Sequence, residues 1–185
     1  MRLATGRAGN VIGGGDWASD RIVADCMRAW SDKQQVEIRC PDATRPWQHV
    51  LEPLSGYLAL GEGLACNPNH HGEQYNFGPR AEQNHTVKDL LEDLSQYWHF
   101  SDPNEAYLVT DHIPFHEAGL LKLNCDKALF HLKWEATLNY KQCIKMVSEW
   151  YYDFYNTSGS DMRVLTSRQI ADYCQHAADL NLKMV

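Results

Sequence analysis

The chain has 185 residues, 44% of them apolar and 22% charged, with a formal net charge of −7. That describes one globular domain, or a domain plus an extension, and the acidic balance disfavours a nucleic-acid binder. No apolar run approaches the roughly 18 to 20 residues of a membrane span, and the opening MRLATGRAGN lacks the apolar core of a signal peptide, so a cytoplasmic protein without a membrane partner is expected.

In chain order, Leu3 to Val11 reads as one short strand, followed by a loop marked by Gly9, Gly13, Gly14 and Gly15. Ile22, Val23, Cys26, Met27 and Trp30 recur at helical spacing from Asp20 onwards. Val36 to Arg39 reads as a strand ended by Pro41. A second helix is expected from about Glu52 to Ala65, with Leu54, Leu58 and Leu64 inward. Gln74 to Phe77 is another strand, closed by Gly78-Pro79.

Thr86 reads as a helix N-cap, with Asp89 placed to complement the positive helix end. Val87, Leu90, Leu91, Leu94 and Trp98 follow at helical spacing. Leu120 to Leu123 suggests a strand, and Asp126 opens a short helix. Tyr140 to Tyr155 is strongly amphipathic, with Ile144, Val147, Tyr151 and Phe154 along one stripe. Thr166 to Gln169 forms a capping-box pattern ahead of Ile170, Tyr173, Cys174 and Ala177. Helices interleaved with short strands predict an α/β or α+β fold, with too few strands for a complete doubly wound sheet.

The six cysteines form no Cys-x-x-Cys pair, so reduced, mostly buried thiols are expected rather than a zinc site. His70-His71 has no third ligand nearby, which predicts an exposed turn and no metal. The glycine cluster at 13–15 fits neither the dinucleotide-binding spacing nor a phosphate-binding loop ending in Lys-Ser/Thr, so dinucleotide binding by this chain alone is not expected.

Arginine placement is the most informative signal. Seven of nine arginines lie in residues 1–80: Arg2, Arg7, Arg21, Arg28, Arg39, Arg45 and Arg80. A guanidinium is a planar fork of donors that fits phosphate oxygens. The first half is therefore where a phosphate-bearing ligand belongs, unless these arginines sit in scattered surface ion pairs.

Two blocks carry a resemblance: Arg7-Ala8-Gly9-Asn10-Val11-Ile12-Gly13-Gly14-Gly15-Asp16-Trp17, and Arg45-Pro46-Trp47-Gln48-His49-Val50-Leu51-Glu52-Pro53. Tyr75-Asn76-Phe77-Gly78-Pro79, His116-Glu117-Ala118 and Leu121-Lys122-Leu123-Asn124-Cys125-Asp126-Lys127 extend it, and Met162 to Thr166 carries it close to the end. Together they resemble the CDP-glucose 4,6-dehydratase family of the extended short-chain dehydrogenase/reductase group. The likeness covers only the C-terminal part of such an enzyme.

The resemblance implies an α/β fold, the C-terminal substrate-binding part of an extended short-chain dehydrogenase without its Rossmann half. Residues 1–185 would be one sugar-nucleotide-binding domain, with 1–15 a remnant of the Rossmann-side strand and loop. It implies NAD in the full-length family, with none expected to bind this chain alone. The family's Tyr-x-x-x-Lys pair has no counterpart here, so no catalytic residue is assigned. A fragment, a truncated product or a degenerate paralogue all fit. Lyase activity would then require a separate N-terminal Rossmann fragment. A non-catalytic CDP-sugar-binding module, and an inert remnant or interaction subunit packing onto a full-length relative, are the alternatives.

By the same resemblance, Asn10 contacts a sugar-nucleotide phosphate and Arg45 clamps the diphosphate. Arg21 faces the nucleotide, Arg39 lies where related enzymes wrap the base and ribose, Asn76 lies at a strand end near the ligand, and His116 lies on a loop closing over the diphosphate. Lys133 replaces a glycine of the family pattern, which strains the backbone if φ is positive there. An absent Rossmann sheet would leave apolar surface uncovered, favouring self-association.

Overall fold

The computed structural model describes residues 1–100, 102–110 and 119–182. Its order is β1 (Thr5–Ala8), β2 (Asn10–Ile12), α1 (Ile22–Ser31), β3 (Val36–Ile38), β4 (Thr44–Arg45), β5 (Trp47–His49) and α2 (Leu51–Cys66). There follow β6 (Gln74–Phe77), β7 (His85–Thr86), α3 (Val87–Tyr97), β8 (Tyr107–Val109), α4 (Asp126–Leu132), α5 (Tyr140–Asn156) and α6 (Met162–Asp179). The strands associate in pairs. β1 runs parallel to β6, β2 to β5 and β3 to β8, whereas β4 and β7 are antiparallel. Among the described residues, no helix is long and apolar enough to cross a membrane.

The main core gathers Met27 and Trp30 of α1, Leu90, Leu91 and Leu94 of α3, and Ile144, Val147 and Tyr151 of α5 around Ile12 and Trp47. The three α3 leucines are almost fully buried, and each such side chain stabilises the fold by about 2 kcal/mol. Thr86 and Asp89 form the reciprocal capping box that the sequence suggests. Asn139 and Gln142 form a second one at the start of α5.

Several expectations are corrected. Helix α2 forms where expected, and Leu64 packs partly buried against a core cluster, but Leu54 and Leu58 turn outward. Its buried residues are Glu52, Pro53, Gly56 and Leu60, while Leu54, Tyr57 and Leu58 are exposed at 47%, 41% and 59%. The reason is close packing: a Cβ on Gly56 would lie 2.3 Å from the Phe77 ring, so the glycine face, not the leucine face, meets β6. Apolar surface is therefore uncovered on α2.

The final helix starts at Met162, capped by Asp161, so Thr166 lies inside it rather than capping it. Asp161 accepts from the backbone N–H groups of Arg163 and Val164. Leu120 makes a single bridge to Thr44, and residues 121–125 form no strand. Phe154 and Ile170 stay about half exposed, with Phe154 packed against Trp17 and Trp150 rather than into the main core. None of the six cysteines forms a disulfide among the described residues, and Cys26 and Cys143 alone are buried. His70 is buried rather than exposed: a short helical turn at Pro68–His70 tucks its Nδ1 against the Tyr75 hydroxyl at 2.7 Å.

Lys133 ends α4 with φ 57° and ψ 27°, the left-handed conformation that suits glycine. We expect Lys133→Gly to stabilise the protein by about 0.5 to 1 kcal/mol, the relieved strain minus the extra unfolded-state entropy of glycine. Urea unfolding with an unchanged or lower midpoint would contradict this.

Candidate functional site

A cleft of about 820 Å³ opens above the β2–β5 pair. Its floor is β2 and the preceding Gly9, with Trp47 of β5 beside them. One wall is the first turn of α1, and another is the end of β3 with Arg39 and Cys40. Arg45, Leu121, Leu123 and Tyr151 complete the lining. This volume lies within the range of small-molecule sites, roughly 300 to 1,000 Å³.

Four of the six residues singled out in the sequence, Asn10, Arg21, Arg39 and Arg45, line this one cleft. Topology explains the meeting. Parallel pairing sets Asn10 opposite Trp47, two residues beyond Arg45. Pairing of β4 with β7 sets Arg45 opposite His85. Its Nη1 donates to the Thr44 carbonyl at 2.9 Å. Arg21 stands just before α1 and pairs with Asp16 at 3.5 Å, which offsets the cation at the positive end of the helix. No side chain caps that helix end, and Ile22, Val23 and Ala24 of its first turn line the cleft.

Asn76 is placed elsewhere. Its amide accepts from Arg7 Nε at 3.0 Å and donates to the Asn124 carbonyl at 2.9 Å, tying β1 and β6 to the segment before α4. It does not line the cleft among the described residues. His116 lies outside the described residues.

The glycine cluster is packed by protein. A Cβ on Gly13 would lie 2.8 Å from Val50, and one on Gly14 would lie 2.1 Å from the Trp150 ring. These glycines admit close side chains rather than a pyrophosphate, so the described residues do not fit a dinucleotide cradle. Trp17 packs beside them against Phe154 and Tyr151. Tyr151 donates to the Asp16 carbonyl at 2.8 Å and accepts from its N–H at 3.1 Å. Burial pushes the Tyr151 hydroxyl up to about 12, so it stays protonated near neutrality and acts as a brace, not a base.

The Arg45 to Pro53 block also anchors the site from behind, a role that sequence reasoning missed. Glu52, 1% exposed, accepts from the N–H groups of Thr137 and Leu138 at 3.0 and 2.7 Å and from the Tyr173 hydroxyl at 3.0 Å. Burial pushes its carboxyl up, and these donors pull it back. The surrounding Arg-Pro-Trp-Gln-His-Val run masks this acid as one more polar residue, and only the fold reveals its three donors.

With this geometry in hand, known proteins provide the comparison. No protein-family model matches the chain. The chain is 40% identical over 171 residues to CDP-glucose 4,6-dehydratase from Salmonella typhimurium, covering 92% of this chain and 46% of that protein. This chain is related to the CDP-glucose 4,6-dehydratases. It spans about half the length of that relative. In structure it resembles UDP-glucuronic acid 4-epimerase from Bacillus cereus, solved with UDP-glucuronic acid and NAD, with a TM-score of 0.69 at 16% identity over 84% of this chain and 46% of that one. It also resembles dTDP-glucose 4,6-dehydratase from Bacillus anthracis, solved with NAD, with a TM-score of 0.66 at 14% identity over 82% of this chain and 44% of that one. The chain thus has an α/β fold shared with part of these two enzymes.

His49, in the anchoring block, is 3% exposed. Its Nδ1 accepts from the Leu51 N–H at 3.3 Å, and its Nε2 has no partner among the described residues. Burial lowers its pKa from 6.5 to about 4. Between these values the unfolded chain binds a proton that folded His49 refuses, so stability falls as pH drops through that window. Asparagine at this position keeps an acceptor for Leu51 but does not titrate. We expect the stability gap between wild type and His49→Asn to close by roughly 2 to 3 kcal/mol from about pH 7 to about pH 4.5 in urea unfolding, whereas a pH-independent gap would contradict this.

Proposed function

We propose that this chain is the CDP-sugar-binding portion of a CDP-glucose 4,6-dehydratase-like lyase, with residues 1–15 forming the cofactor-side edge of the site. Dehydration of CDP-D-glucose to CDP-4-dehydro-6-deoxy-D-glucose takes place where an NAD-binding domain completes it. NAD, bound by that domain, supplies the hydride chemistry, and the residues described here hold the nucleotide sugar. The observation that carries the reading is the gathering of Asn10, Arg21, Arg39 and Arg45 in one cleft.

The physical fit is to a diphosphate. Arg45 presents a fork of donors matched to two phosphate oxygens. Asn10 adds an amide donor without adding charge. The uncapped first turn of α1 adds backbone N–H groups and the positive end of a helix dipole. Asp16 and Asp25 are held in ion pairs with Arg21 and Arg28, which reduces their repulsion of an incoming anion. Leu121, Leu123 and Val87 supply apolar walls for the uncharged parts of the ligand.

Isothermal titration of the purified chain with CDP-glucose tests the reading. Micromolar binding is expected, and Arg45→Ala weakens it by about ten- to a hundredfold, the loss of a charge-assisted pair. Binding that is unaffected by NAD and gives no turnover points to the binding module. Turnover on mixing with a Rossmann fragment points to the completed lyase. No binding by the wild-type chain, with no turnover on mixing, overturns the reading.

A further inference from the structure

The cleft contains carboxylates that a diphosphate does not want. Its acidic lining residues are Asp16, Asp20, Asp25 and Glu37. Asp16 is paired with Arg21 and Asp25 with Arg28. Asp20 sits beside the uncapped start of α1. Glu37 differs from all three. It lies on β3, with its neighbours Val36 and Ile38 buried and Glu37 itself exposed, so the strand pleat turns it toward the cleft side. Arg39 follows two residues later and lines the same cleft. Among the described residues, neither the Glu37 nor the Arg39 side chain takes part in a hydrogen bond or ion pair.

A carboxylate next to a guanidinium, spaced by one residue along a strand, is an acceptor beside a row of donors. The pyrimidine edge that complements it is cytosine. Cytosine offers an exocyclic N4 amine as donor, then N3 and O2 as acceptors. Uracil and thymine reverse the first two groups: O4 is an acceptor and N3–H a donor. Against uracil, the carboxylate would face O4 and the guanidinium would face N3–H, two unfavourable contacts in place of two favourable ones.

We propose that Glu37 accepts a hydrogen bond from the N4 amine of the ligand's base, with Arg39 donating to N3 and O2, and that this pair makes the cleft select cytidine over uridine nucleotide sugars. The inference rests on the proposed CDP-sugar binding, and it assigns the base end of the ligand to the β3 wall. Negative charge at Glu37 then helps rather than hinders, because it lies away from the phosphates and meets a donor.

Titration of the purified chain with CDP-glucose and UDP-glucose tests it. The wild type is expected to prefer CDP-glucose by about tenfold or more, the discrimination typical of a good paired base contact. Glu37→Gln, at an exposed strand position, keeps an acceptor for cytosine and gains a donor for uracil O4. It should bring the preference to within roughly threefold, mainly by tightening UDP-glucose. Arg45→Ala should weaken both ligands alike and leave the preference in place. An unchanged preference in Glu37→Gln, equal weakening of both ligands, or no preference in the wild type overturns the assignment while leaving CDP-sugar binding intact. Failure of the wild type to bind either ligand overturns the assignment, and with no turnover on mixing with a Rossmann fragment it overturns the proposed function as well.

Discussion

The pairing of β2 with β5 is the constraint on which the site depends. It is three residues long, and it brings two distant stretches of chain together in parallel register. Asn10 arrives from one stretch, and Arg45 and Trp47 from the other. Parallel strands need a crossover, and here α1, β3 and β4 lie between the two. That crossover supplies Arg21 and Arg39. One short pairing therefore gathers all four cleft residues, and a slip of one residue would turn Asn10 to the opposite face.

So short a ladder needs support from elsewhere. Gln48 donates to the Phe77 carbonyl at 2.9 Å and ties β5 to β6. Glu52 ties the start of α2 to residues 137 and 138 and to α6. The residues from Arg45 to Glu52 thus face two ways. The early ones shape the cleft, and the later ones are fixed in the interior. Removing one partner of such a buried carboxyl leaves the remaining polar groups without compensation, which makes the block intolerant of change for structural reasons.

Most helices were legible in the sequence because α1, α3 and α5 each bury a continuous stripe against one core. The Thr86 capping pattern was legible because its donors and acceptors are local. The orientation of α2 was not, since it is set by the contact of Gly56 with Phe77, and leucines misled where a glycine decided. The start of α6 was missed because Asp161 outcompetes the Thr166 pattern downstream. At the site, arginine enrichment pointed to the half of the chain that supplies most of the cleft lining, and the family blocks to individual residues on its walls. Asn76 was drawn away by hydrogen bonds to Arg7 and Asn124, which no local pattern announces. Glu37 went unremarked because an exposed acid on a strand is ordinary until its neighbour Arg39 is seen on the same wall.

The central claim is that a nucleotide-sugar cleft is built within this chain. Amide hydrogen exchange with and without saturating CDP-glucose tests it directly, because it reports where the ligand sits. The account predicts slowed exchange at residues 9–13, 21–25 and 37–45, with the surface of α6 unchanged. Protection confined to other segments, or none at all, would contradict it.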